Sequence, residues 1–95
     1  QTVKSPFVLA LAQNNQAVIQ SMLQQDIDLD SPLPTGFTPL VQAVHHNHLP
    51  TIQVLVEKGR FKNRSKQLQM AFEQAKNSGF QSIEIYLSRI VQGGG

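Results

Sequence analysis

The sequence predicts an all-α fold, a short solenoid of three stacked helix–turn–helix repeats forming a single domain. Three observations carry that reading. Apolar residues recur at helical spacing in short blocks, as in Ile19–Met22–Leu23 and Ile52–Leu55–Val56. The blocks themselves recur along the chain at an offset of 33 residues. Two of the units open on matched dipeptides, Ser5-Pro6 and Thr38-Pro39, which read as an N-cap followed by a first-turn proline.

The repeat holds over a whole unit without a gap. Ala10 falls on Ala43, Asn14 on Asn47, Ile19 on Ile52, Met22 on Leu55 and Leu23 on Val56. Apolar and turn positions match while polar positions differ, as expected when the units share packing. A weaker third unit follows at an offset of 32, with Phe72 under Leu40, Ala75 under Ala43, Gly79 under Asn47, Ile83 under Thr51 and Leu87 under Leu55. It has Met70-Ala71 where the others have Ser/Thr-Pro, and terminal units of a stack commonly depart from the pattern. The unit boundaries fall at about 4–33, 34–66 and 67–91, with a glycine tail at 93–95.

Each unit reads as two short antiparallel helices. The first helices carry Phe7, Ala10 and Leu11; Leu40, Ala43 and Val44; and Phe72 and Ala75. Alanine at the shared position lets two helix backbones approach closely. Asn14, Asn47 and Gly79 end these helices, and all three tolerate the left-handed backbone of a helix C-terminus. The second helices carry Val18, Ile19, Met22 and Leu23; Ile52, Leu55 and Val56; and Ile83, Tyr86, Leu87 and Ile90, with Pro50 in the first turn of the middle one. Phe7, Phe72 and Tyr86 are expected in the core. Segments 26–37 and 59–65, polar and punctuated by Pro and Gly, read as loops. A lone pair of short helices buries too few side chains, at about 1.5–3 kcal/mol each, to stand alone. The units must stack.

Composition narrows the function. With 95 residues, 40% hydrophobic and 15% charged, the chain can bury one core and is not compositionally disordered. It holds no cysteine, which removes disulfides, thiolate metal sites and cysteine nucleophiles together. No apolar run approaches the roughly 20 residues of a membrane span, and no basic-then-apolar leader pattern stands at the N-terminus. The start at Gln1 fits a processed product or a piece of a longer protein.

The middle unit, Gly36-Phe37-Thr38-Pro39-Leu40-Val41-Gln42-Ala43 with His46-Asn47-His48 and then Ile52, Leu55, Val56 and Gly59, resembles an ankyrin repeat. The first unit resembles one too, through Ser5-Pro6-Phe7 and Asp28-Leu29-Asp30. The resemblance covers roughly residues 4–91, strongest in the second unit and weakest in the third. It departs at Val8 and Val41, which replace a usual histidine and so lose a side-chain hydrogen bond between neighbouring loops. It departs again at Asp26, in place of a helix-ending glycine, and at Arg60-Phe61-Lys62-Asn63, a shortened basic connection that makes the second-to-third hairpin irregular.

The resemblance implies an ankyrin-type solenoid that binds a partner protein, without catalysis or cofactor. Its concave surface, made of hairpin tips and the exposed side of the first helices, would comprise Lys4, Ala12 and Gln13; Pro34, Thr35, Phe37, His45 and His46; and Gln69, Asn77 and Ser78. The isolated domain is expected to be monomeric. Its setting is expected to be the cytoplasm or nucleus, or a host cytosol if the chain is a delivered bacterial protein.

His45, His46 and His48 invite a metal, but adjacent residues point about 100° apart on a helix and do not converge easily on one ion. No metal site is expected. His48 stands where the family has a structural histidine after the turn, while His45 and His46 are either contact residues or solvated. Phe37 is either an exposed anchor or packs on its hairpin beside Leu33. Arg60, Lys62, Arg64 and Lys66 could contact an acidic protein, nucleic acid or an anionic membrane, but they are few for a nucleic-acid face and also read as a solvated loop. Asp26, Asp28 and Asp30 fall in a connecting loop, and there is no Gly-rich phosphate loop or nucleophile elbow, so no enzyme is expected. The alternative to partner binding is a structural spacer or intramolecular docking domain.

Overall fold

A computed structural model describes residues 6–25 and 27–93, with side chains from Val8 onward. The expected cap Ser5, the surface residue Lys4, the side chain of Phe7, the departure at Asp26 and the last two glycines lie outside the described residues. Six helices follow one another: α1 (Pro6–Gln13), α2 (Gln16–Leu23), α3 (Pro39–His45), α4 (Leu49–Lys58), α5 (Arg64–Ser78) and α6 (Gln81–Gln92). There is no strand among the described residues.

The helices pair as α1–α2, α3–α4 and α5–α6, and the pairs stack. The first helices form one row, α1 on α3 and α3 on α5, while α2 packs on α4. The shared alanines explain the close row: Ala10, Ala43 and Ala75 are all buried, so only a methyl group separates neighbouring backbones at that level. A continuous core runs through the stack from Leu11 and Ile19 through Leu29, Leu40, Val44, Ile52 and Leu55 to Leu68, Ile83 and Leu87. Phe72 and Tyr86 sit half-buried against it instead of inside it. The molecule is elongated, 40 × 26 × 22 Å.

The turns follow from residue type. Asn14 and Asn47 adopt φ of 55° and 59° and Gly79 adopts 77°, so all three units end their first helix in the left-handed region. In the first unit the very next residue starts the second helix: Asn15 caps α2, its side chain accepting the Val18 N–H at 3.3 Å. Thr38 precedes α3 and Pro39 starts it, while Pro50 falls in the first turn of α4.

One element begins earlier than the repeat predicts. α5 starts at Arg64, inside the segment 59–65 that reads as a loop, and runs for 15 residues. Between Gly59 and Gly79 no proline or glycine interrupts the chain. Asn63 supplies a cap, accepting the Lys66 N–H at 3.2 Å. Gln67, Leu68 and Ala71 are buried, which extends the apolar stripe of Ala75 two turns toward the N-terminus. Residues 59–63 of the connection, expected to be irregular, stay non-helical, and only its last two residues join the helix.

Polar ties join successive units. Thr51, wholly buried, donates its hydroxyl to the Asn14 side chain, linking α4 to the first turn. Both oxygens of Asp30 accept backbone N–H groups across the next connection, Lys62 at 2.7 Å and Asn63 at 2.9 Å. Arg64 donates to the Val56 carbonyl at 2.9 Å, so a cation sits on one of the unpaired carbonyls that end α4.

Candidate functional site

The segment before α3 is a tight loop held by backbone bonds. Leu33 N–H donates to the Phe37 carbonyl at 2.7 Å, and Gly36 N–H donates to the Leu33 carbonyl at 2.8 Å. Gly36 has φ of 96°, a conformation that a side chain resists. This geometry turns Pro34 and Thr35 outward, where both are exposed, and folds Leu33 and Phe37 back against the core. Phe37 is partly buried against the core, and its ring lies 5.1 Å from that of His45.

From Phe37 a row of rings runs along the end of α3. His45 and His46 stand 5.6 Å apart edge to face, and His46 and His48 are stacked at 5.8 Å. His48 reaches across to the Ala12 carbonyl at 3.2 Å, bonding the turn of the second unit to the end of α1. That is the structural part expected of it. Among the described residues no three His, Cys, Asp or Glu side chains are arranged to hold a metal ion.

His46 is fixed from behind. Gln42, buried on α3 one turn earlier, sets its amide nitrogen 2.8 Å from His46 Nε2 and accepts the Thr35 hydroxyl on its other end. Loop tip and helix end are thus joined through one side chain, and Gln42 is a site residue that reading the sequence missed. The sequence carried no signal for it, since position 42 lies about 200° around the helix from Leu40 and Val44, opposite the apolar stripe. Burial, with His45 and His48 as lesser causes, pushes the His46 imidazole below its ordinary 6.5.

The remaining surface residues are placed as follows. Ala12 and Gln13 at the end of α1, and Gln69, Asn77 and Ser78 on α5, are exposed. Gln69 donates to Glu73 at 3.0 Å along α5, and Ser78 accepts from Gln74 at the same distance. Arg60, Lys62, Arg64 and Lys66 are all exposed. Arg60 and Lys62 border a cleft of about 300 Å³ whose walls also hold Asp28, Asp30, Ile27 and Phe61. Arg64 is engaged with the end of α4, and Lys66 is exposed on α5. Asp28 is held below its ordinary range by the Ser31 hydroxyl at 2.6 Å and the Asp30 N–H at 2.9 Å, with a smaller pull from Lys62.

A family model described as ankyrin repeats (3 copies) matches residues 2–67, more than half of the chain. The chain belongs to the ankyrin repeat family. The match ends in the first turn of α5, the helix that begins earlier than the repeat of this ankyrin domain predicts. Neither the curated proteins nor the solved structures searched contain a match to it. Ankyrin repeats are generally protein–protein interaction modules and generally non-catalytic.

The hydroxyl of the buried Thr38, at the start of α3, has no hydrogen-bond partner. No helix among the described residues is long and apolar enough to cross a membrane.

Proposed function

We propose that this domain binds a partner protein through the face formed by the 33–37 loop tip and the exposed ends of α1, α3 and α5, acting as a monomer and without catalysis. The observation that supports it is the tie from Thr35 through Gln42 to His46. It holds the tip against the helix end before any partner arrives, so Phe37, His45 and His46 lose little freedom on binding. A partly exposed phenylalanine beside His45, with His46 next in the row, offers the apolar area with polar edges that anchors interfaces. Ala12, Gln13, Gln69, Asn77 and Ser78 extend the face to the neighbouring units. The proposed setting is the cytoplasm or nucleus.

The test uses substitutions at exposed positions, so that folding is spared. His45→Glu with Asn77→Arg should retain the wild-type circular dichroism and urea midpoint. Proteins captured from a cell lysate by the wild-type domain should be lost from that variant. Identical capture by both forms would place recognition elsewhere, and a spacer domain would capture nothing specific with either.

A further inference from the structure

The hydrogen bonds through Gln42 have a direction. The Thr35 hydroxyl gives its proton to Gln42 Oε1, which leaves the Gln42 amide nitrogen facing His46 Nε2 at 2.8 Å. An amide nitrogen only donates, so His46 Nε2 accepts and the ring proton sits on Nδ1. An imidazolium carries N–H on both nitrogens and accepts at neither. A proton added to His46 therefore sets two donors against each other inside a partly buried contact. Gln42 is 3% exposed, so its amide cannot simply turn to solvent. The relief available is to turn the amide over, with Oε1 toward His46 and the nitrogen toward Thr35. The Thr35 hydroxyl must then accept where it had donated. That same oxygen already takes the Phe37 N–H at 3.4 Å, so the change reaches the backbone of the loop tip.

We propose that Thr35, Gln42 and His46 form a proton-sensitive latch: neutral His46 keeps the Thr35 hydroxyl donating to Gln42, and protonated His46 opens the latch by reversing the Gln42 amide, which makes that hydroxyl an acceptor beside the Phe37 N–H. Resting on the reading of this face as the partner surface, the latch makes binding sensitive to mild acid by changing the hydrogen bonding of the tip that carries Phe37. His45 and His48 oppose a positive charge at His46, and burial does so more strongly. From the packed neighbours, α1 carries no ionisable side chain among its residues. Glu57 and Lys58 lie in the last turn of α4, and α5 carries Arg64, Lys66, Glu73 and Lys76, but none of these contributes to the shift at His46. The latch is therefore shut at neutral pH and opens on acidification below the ordinary imidazole range.

The experiment is an NMR titration of the free domain in a His45→Gln background, which removes the imidazole that touches Phe37. Ring nitrogen shifts should show His46 protonated at Nδ1 when neutral. The Gln42 side-chain amide and the backbone amides of Gly36 and Phe37 should move with the His46 midpoint. Adding Thr35→Val should leave His46 titrating while uncoupling Gly36 and Phe37 from it, since the far end of the relay is gone and position 35 is exposed. A neutral His46 with its proton on Nε2, loop amides flat across its titration, or the same coupling in Thr35→Val would each overturn the latch. None of these readings involves a partner, so a flat titration would leave the proposed binding face standing. Equally, unchanged capture by the surface variant would leave the titration result intact.

Discussion

Asp30 offers the sharpest perturbation of the fold. Its two carboxylate oxygens receive the N–H groups of Lys62 and Asn63, at 2.7 and 2.9 Å, so one side chain from the first connection holds the second. Hydrogen bonds to charged groups contribute about 1.5–3 kcal/mol each, and exposure of these two discounts their joint value below that sum, to roughly 2 kcal/mol. Asp30→Asn is the telling change. It conserves size, but the asparagine amide offers an acceptor to only one of the two N–H groups and opposes the other with a donor. The loss should match that of Asp30→Ala. With a urea slope of about 2 kcal/mol/M for a domain of this size, the midpoint should fall by about 1 M. Hydrogen exchange should quicken first in α5 and α6, because the clamp fixes the chain just before α5. A change in Asp30→Asn below about 0.5 kcal/mol, the range of ordinary surface substitutions, would refute the clamp.

Three further outcomes follow from particular contacts. Thr38→Val removes a buried hydroxyl with no partner while keeping its shape. It should be neutral to stabilising by about 1 kcal/mol, where loss of an N-cap threonine ordinarily costs about that much, and thermal melting distinguishes the two. Gly59→Ala should destabilise by about 1–3 kcal/mol although φ is −75°, because the added methyl meets the Leu55 carbonyl and comes within 2.7 Å of Leu29 Cδ1. For His46 the folded state binds a proton less readily than the unfolded chain, so its contribution is intact above 6.5 and is lost as pH falls through the lowered folded value. The urea midpoint should drop between about pH 7.5 and pH 5.5, and His46→Gln should flatten that drop. Asp28, also shifted down, acts only below its ordinary 3.8 and leaves this window clear.

Much of the fold was legible because repeat packing writes itself into residue type. The alanines at 10, 43 and 75 and the turn residues 14, 47 and 79 stand at matched places in the chain, and each does the same thing in its unit. The third unit was harder to read. Matching it to its siblings assigns a loop to 59–65, whereas the local residues, a capping asparagine and an unbroken run of helix formers, favour helix from Arg64. Local propensity prevailed there because Leu68 and Ala71 also had a core to enter. The candidate face was legible only at its surface. Thr35, Phe37, His45 and His46 could be placed by position, but Gln42 could not, because its importance comes from being buried between two of them. Arg64 reads in sequence as one of four loop cations, and only three dimensions reveal the Val56 carbonyl it covers.

The central claim, that recognition uses the loop tip and the ends of the first helices, is tested most directly by hydrogen exchange of the domain alone and with a captured partner. Slowed exchange in residues 33–37, with a further footprint at the ends of α1, α3 and α5, is the predicted result. Protection confined to α2, α4 and α6, with the loop tip exchanging as fast as in the free domain, would contradict it.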